Sequence, residues 1–452
     1  MYPIPTSVAV AVYTGYSFHS SHHNHFSSTP SKMDLNSGKA SFLQDTKTLS
    51  YHGKEAYSPL CMLSTELAEI VASSLQPSDL AALRLTYKTL HTKSFHVFWK
   101  TLLHTVRTDL SDASLEKLET IPQDARHRGY VKHIVFMGFD EHGKRLGGGY
   151  TWESCHQPFS HFRNIQEHPA VNRLSNILNQ LNCKSFEVFA KFGLPDFQTD
   201  YRWLKPTDMI TVFMDIVAST RLPVTAFSID MFDFYYPDPH KLKVSDKDHF
   251  ATIGQSLEEL RLLYDIEDGI VTDWTFNLLC HAPNLRTLHL MNGGYKEIRL
   301  IHRCAAVDGL WSKLRDFKLE YISMFIDDLM VLLRRCRNTL RVFQMETLRI
   351  EADIEGIRQM FSTLSTFPVL ESFAFDCVGF GVHGKDDLIY SPTLAENPFV
   401  DESRENKFRI SLKNKIGATN SRVAYSGPKI DVALDILAKG VKGIPRLTEI
   451  RR

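Results

Sequence analysis

Leu285-Arg286-Thr287-Leu288-His289-Leu290 sets three leucines in the order L-x-x-L-x-L, just behind Pro283. The template L-x-x-[LF]-x-[apolar] returns at Leu257-Leu260-Leu262, Leu314-Phe317-Leu319, Leu340-Phe343-Met345 and Leu370-Phe373-Phe375. From Leu257 onward the first positions lie 28, 29, 26 and 30 residues apart. Looser copies stand upstream at Cys183-Phe186-Val188 and Val224-Phe227-Ile229. The period-two alternation predicts a strand in each copy. Apolar residues at helical spacing fall between several of them: Ile210, Phe213, Met214 and Val217; Ile326, Leu329, Met330 and Leu333; Ile354, Ile357, Phe361 and Leu364. Pro223, Pro283 and Pro368 each stand where such a helix must stop before its strand.

A strand and a helix every 26–30 residues predict an α/β fold, a leucine-rich-repeat-like solenoid with parallel strands inside and helices outside. The copies lack the asparagine usual in such repeats, so the loops are expected to be irregular. A doubly wound α/β domain also alternates strand and helix, but an open sheet has no need of one side-chain register in every strand. Residues between the leucines would face solvent on the concave side. They make Glu259, Arg261, Thr287, His289, Asp316, Lys318 and Gln344 candidate substrate-binding residues. For any one of them, a merely solvated charged face is the plainer alternative.

The 452-residue chain is organised around this array. Residues 1–57 form a Ser/His-rich stretch without periodicity, expected to be a disordered tail. Residues 58–110 form a helical module, 111–130 a charged connector, 131–380 the solenoid, and 381–452 an irregular region with a late capping helix near Ile430–Leu437. Lys and Arg number 52 and so do Asp and Glu, so the basic excess of a phosphate-neutralising protein is missing and no nucleic-acid partner is expected. No window approaches the ~18 apolar residues of a membrane span, so no membrane partner is expected. Seven scattered cysteines without a C-x-x-C pair suit free thiols in the cytosol or nucleus.

In the helical module Leu67, Ile70 and Val71 share one helical face, and Leu80, Leu83, Tyr87 and Leu90 another. Phe95, Trp99, Leu102 and Val106 continue the period, so three helices are predicted. Ser64 or Thr65 suits the first N-cap; Pro77 and Ser78 break and cap the second. The run PLCMLSTELAEIVASSLQPSDLAALRLTYKTLH, Pro59–His91, resembles the F-box, a short helical motif of filamentous-fungal and other proteins that is found paired with leucine-rich repeats. Leu63, Glu66, Leu67, Leu75, Asp79, Leu80, Leu83, Arg84 and Lys88 match the motif, and Ile70 stands one residue early. Ser64 stands where the family usually has Pro.

The resemblance implies a substrate-recognition subunit of a cullin–RING ubiquitin ligase. Its helices would bind a Skp-type adaptor, and the repeats would hold a protein substrate. Leu63, Ser64, Leu67, Ile70, Leu75, Leu80 and Leu83 are the adaptor-binding candidates, because three short helices cannot hide so much apolar surface internally. An unrelated repeat scaffold and an α/β enzyme with an unrecognised site are the alternatives. No catalytic motif, metal-ligand spacing or cofactor fingerprint is found, so no enzyme activity, metal or cofactor is expected. The pairs Cys155-His156 and Cys280-His281 and the acids Asp327-Asp328 and Asp386-Asp387 carry no such spacing.

Overall fold

The computed structural model describes residues 58–137, 168–190, 206–231, 247–266, 269–292, 299–376, 378–382, 385–392, 409–415 and 418–445. Residues 1–57, expected to be a tail, the Gly-rich sequence 143–149 and Cys155-His156 lie outside them. The chain divides into two compact units, Met1–Leu102 and Leu103–Arg452.

The described part of the first unit is helical, with five helices where three were predicted: α1 (Pro59–Met62), α2 (Thr65–Ser73), α3 (Pro77–Thr86), α4 (Lys88–Lys93) and α5 (Phe95–Leu103). Proline occupies the first turn of α1 and of α3, where its missing N–H costs nothing. Ser64 caps α2, accepting from the Leu67 N–H at 3.3 Å. The second predicted cap is corrected: Gln76 is the N-cap of α3 without a side-chain bond, and Ser78 lies inside the helix. A small core of Ala72, Leu80 and Val97 gathers Leu75, Leu83 and Phe98 around it.

The second unit begins with β1 (Thr105–Thr108), α6 (Asp112–Gln123), α7 (Ala125–Arg128) and β2 (His133–Met137). Then follow α8 (Pro169–Leu181), β3 (Ser185–Phe189), α9 (Pro206–Thr220), β4 (Ala226–Asp230), α10 (Lys247–Gly254), β5 (Glu259–Leu263), α11 (Gly269–Cys280), β6 (Thr287–Met291), α12 (Arg299–Ala305) and β7 (Asp316–Glu320). The series continues with β8 (Ser323–Phe325), α13 (Ile326–Arg335), β9 (Val342–Glu346), β10 (Arg349–Glu351), α14 (Ile354–Leu364), β11 (Ser372–Asp376) and β12 (Gly379–Val382). It ends with β13 (Lys385–Pro392), β14 (Arg409–Lys415), β15 (Ala418–Ser426), α15 (Ile430–Gly440) and β16 (Val441–Pro445).

The main sheet runs β1-β2-β3-β4-β5-β6-β7-β9-β11-β15-β14. It is parallel from β1 to β11 and antiparallel at its last two strands. Along the parallel part the strands follow in chain order, with β8 and β10 passed over to the second sheet and no reversal of direction, which separates this arrangement from a doubly wound sheet. The register never slips: Phe186, Phe227, Leu260, Leu288, Phe317, Phe343 and Phe373 pair in succession. All seven are almost completely buried, as are Leu257, Leu285, Leu314 and Leu340 at the first template position. Consecutive helices from α8 to α15 pack side by side as a second layer. Phe213 of α9 meets Phe186 and Phe227 with ring centroids 4.9 and 5.1 Å apart, and Phe361 of α14 meets Phe375 at 5.5 Å. Each such buried side chain contributes on the order of 1.5–3 kcal/mol.

Three boundaries differ from the sequence reading. Thr105–Thr108, assigned to the helical module, is the first strand of the sheet. The stretch 111–130 is no connector: α6 buries Leu115, Leu118 and Pro122 and packs on α8, joined to it by a two-pronged bond from Arg173 to Glu119. The region 381–452, expected to be irregular before its helix, instead supplies strands that close both sheets, while α15 packs on α14 at the end of the helical layer.

The second sheet, β16-β13-β12-β10-β8, was not foreseen. After β7 and after β9 the chain turns through one left-handed residue, Tyr321 (φ 54°) or Thr347 (φ 53°). It then re-enters extended backbone as β8 or β10. Asn292, completely buried behind β6, ties the neighbouring loop by accepting from the Ile266 N–H at 2.9 Å.

Candidate protein-docking surfaces

Helix α2 turns its small residues inward and its large ones outward. Ala68 and Ala72 are 4% and 0% exposed, whereas Leu67 and Ile70 are 51% and 64% exposed. At 100° per residue Leu67, Ile70 and Val71 form one stripe, with the alanines on the flank that meets the core. Alanines at the contact let α2 approach the core closely, and the branched residues are thereby left outside. Met62 of α1 is the most exposed member of the same apolar neighbourhood in sequence, at 74%. Beside the stripe lies a shallow apolar hollow lined by Leu60, Leu63, Val71, Leu83 and Leu90.

The corner that presents this face is held by charge and by cation–π contact. The Lys93 ammonium donates to the carbonyls of Cys61 and Leu63, the orphan acceptors at the end of α1. The Arg84 guanidinium lies 3.6 Å from the centre of the Phe98 ring. Burial lowers its basicity. Glu66, in the first turn of α2, has its carboxyl held below the usual range by backbone N–H and Ser64 hydrogen bonds.

Of the adaptor-binding candidates, Leu67, Ile70 and Ser64 lie on the surface, and Leu63 is half-buried at the hollow. Leu75 and Leu83 pack partly against the core. Leu80 is corrected: it is completely buried between helices and belongs to the core, so it offers no contact surface.

In the second unit all seven substrate-binding candidates occupy the sheet face opposite the leucine and phenylalanine ladders. Glu259, Thr287 and Asp316 pair in one row, and Arg261, His289, Lys318 and Gln344 in the next. Glu259 and Arg261 are exposed; the other five are half-buried. A third row runs through Glu320, Glu346 and Asp376. Here the rows meet in a charge cluster. His289 Nε2 lies 3.2 Å from Glu320 Oε1; Lys318 contacts Glu320 and lies 3.5 Å from Glu346 Oε2. Burial lowers the His289 imidazole, partly offset by Glu320. Burial alone would raise Glu320, but hydrogen bonds from His289 and Lys318 outweigh it and bring its carboxyl down to about 2. Burial and the Glu320 charge together raise Glu346.

A second cluster at the other end of this face escaped the sequence reading. His133 Nδ1 is 2.8 Å from the Ser185 hydroxyl, and its Nε2 is 3.1 Å from Glu187 Oε2. The parallel pairing His133↔Ser185 sets the three together. The only sequence signal for it was the looser template copy at Cys183-Phe186-Val188.

Among the described residues no group of three His, Cys, Asp or Glu side chains is placed to hold a metal. Nor is any helix among them long and apolar enough to cross a membrane. The described thiols are free. Burial pushes Cys183 up to about 11 and Cys336 up to about 12, and raises Cys304 and Cys280 as well, away from the thiolate that nucleophilic chemistry needs. No family model matches the chain, and no curated protein matches it significantly.

Proposed function

We propose that this chain is the substrate-recognition, F-box-type subunit of a cullin–RING ubiquitin ligase. Its helical module docks a Skp-type adaptor, and the open face of its parallel sheet holds a protein substrate. The observation that carries the reading is the inverted face of α2, where Leu67 and Ile70 stand in solvent while Ala68 and Ala72 fill the core. Exposed leucine and isoleucine on one stripe of a small helical module are the signature of a surface completed by another chain. The F-box-like run from Leu63 to Lys88 supplies the identity of that chain. Such a receptor needs no reacting group: holding a substrate lysine near a ubiquitin thioester raises their effective concentration. Free thiols suit work in the cytosol or nucleus.

The test is co-purification of the full chain with a Skp-type adaptor. Wild type is expected to retain the adaptor, and a Leu67→Ala/Ile70→Ala variant to lose it. Shielding each of these side chains is worth up to about 1.5–3 kcal/mol. The variant's melting temperature should stay near that of wild type, since neither side chain belongs to the core. Adaptor retained by the double variant rejects the assignment and leaves an unrelated interaction scaffold as the reading.

A further inference from the structure

The cluster at the β2–β3 end of the open sheet face is ordered as a proton relay. His133 stands between two partners: its Nδ1 is 2.8 Å from the Ser185 hydroxyl, and its Nε2 is 3.1 Å from Glu187 Oε2. A carboxylate can only accept, so Glu187 takes the Nε2 proton and leaves the Nδ1 lone pair facing the serine, whose hydroxyl donates to it. Nucleophile, base and orienting acid thus follow in the order that acyl-transfer sites share, each within hydrogen-bond range of the next. Strand register fixes them: His133 pairs with Ser185, and Glu187 lies two residues along β3 on the same face. His133 and Glu187 keep 23% and 25% of their side-chain surface open, and Ser185 is half-buried, so a ligand can reach all three. Beside Ser185 on β4 stands Ala226, and beside Glu187 stands Ser228, so that strand leaves room next to the hydroxyl. The row Arg107, Val135, Glu187, Ser228, Arg261 sets an exposed arginine two strands away on either side of Glu187, about 10 Å along the sheet. No motif spacing announces the group, because 52 residues part His133 from Ser185.

We propose that Ser185, His133 and Glu187 form a nucleophilic site that hydrolyses carboxylic esters. Ser185 Oγ bonds the ester carbon while its proton passes to His133 Nδ1. The carbon–oxygen bond to the leaving alcohol then breaks, and Nδ1 returns the proton to that oxygen. Water attacks the acyl-serine in the same way: it gives a proton to Nδ1, the acid departs, and Ser185 regains its hydrogen. Glu187 touches no reacting atom; it is a positioning residue that holds the imidazole in the tautomer able to accept. Arg107 and Arg261 lend positive potential to the face on which the carbonyl oxygen gains negative charge. The site belongs to the sheet and makes no use of the helical module, so the receptor reading and this one stand or fall separately.

The experiment treats the full chain with a fluorophosphonate probe and maps the adduct by peptide mass. Ser185 Oγ bonds phosphorus, fluoride leaves, and the proton passes to His133. The adduct is expected on Ser185, and His133→Gln should slow its formation about a hundredfold, the scale of one general base. Turnover of p-nitrophenyl butyrate is the second readout. Ser185→Ala should abolish it, Glu187→Gln should lower kcat with KM unchanged, and Glu187→Asp should restore most of that loss. No adduct on Ser185, whatever other serines carry, overturns the proposal. So does an adduct formed equally fast in His133→Gln, or a kcat unchanged in Glu187→Gln. The mapping on the unaltered chain needs no variant to fold, and all of these side chains are half-buried polar groups, so the variants should melt near wild type.

Discussion

Single residues on the open sheet face give the protein a predictable response to acid. His289 faces Glu320 and Lys318 across β7, with Arg261 on the other side and Glu346 and Asp376 beyond. Its folded imidazole is held below the ordinary value of 6.5, so the unfolded chain takes up the proton first. The stability it contributes is present above that value and is lost as pH falls through it toward the folded pKa. Glu320, lowered from 4.5 to about 2, contributes stability above 4.5 that disappears between those values. Glu346 is raised and works in the opposite sense, its contribution fading as pH climbs above the ordinary carboxyl value. Urea midpoints are therefore expected to drop as pH falls through 6.5, and His289→Asn should flatten that limb. An unchanged slope in the variant would refute the role given to His289. In the sequence His289 could be placed on this face by alternation alone; its pairing could not, because that depends on which rotamers of β6 and β7 meet. The same limit explains Leu80. It shares helical spacing with Leu83, and only the packing of α3 against α5 makes one core and leaves the other at the hollow's edge.

Elements were legible wherever a long period marked them. The five full template copies and the helices near 210, 326 and 354 carry enough apolar positions to fix both period and face. β8 and β10 have three residues each, too few to show any period, and β1 lies in Thr105-Val106-Arg107-Thr108, which alternates only once. The sharp corners that create the second sheet were hidden for another reason. Tyr321 and Thr347 adopt a left-handed backbone that favours glycine, so no glycine signal announced the turns. Close helix packing gives a sharper expectation. A β-carbon at Gly254, the end of α10, would stand 2.0 Å from the backbone oxygen of His281, just past α11. Backbone cannot yield as a flexible side chain does, so Gly254→Ala should cost about 1–3 kcal/mol, read as a lower urea midpoint. A midpoint equal to wild type would show that the two helices separate freely.

At the level of the repeat unit, each strand bonds its predecessor and each helix packs on its neighbour, so stability is local and additive along the array. Hydrogen exchange is expected to be graded: slowest in β5, β6, β7 and β9, faster toward β1 and toward β15. Uniform protection lost in one step would mean that the sheet opens only as a whole. The constant register has a further consequence for how such a chain can change. Deleting 314–339 would bring Lys313 directly to Leu340, and β6 would meet β9 with Leu288 opposite Phe343, as apolar a match as the one removed. A gene encoding this protein can thus gain or drop a whole module by recombination with the apolar ladder still in step, and the row of exposed side chains it presents grows or shrinks one letter at a time.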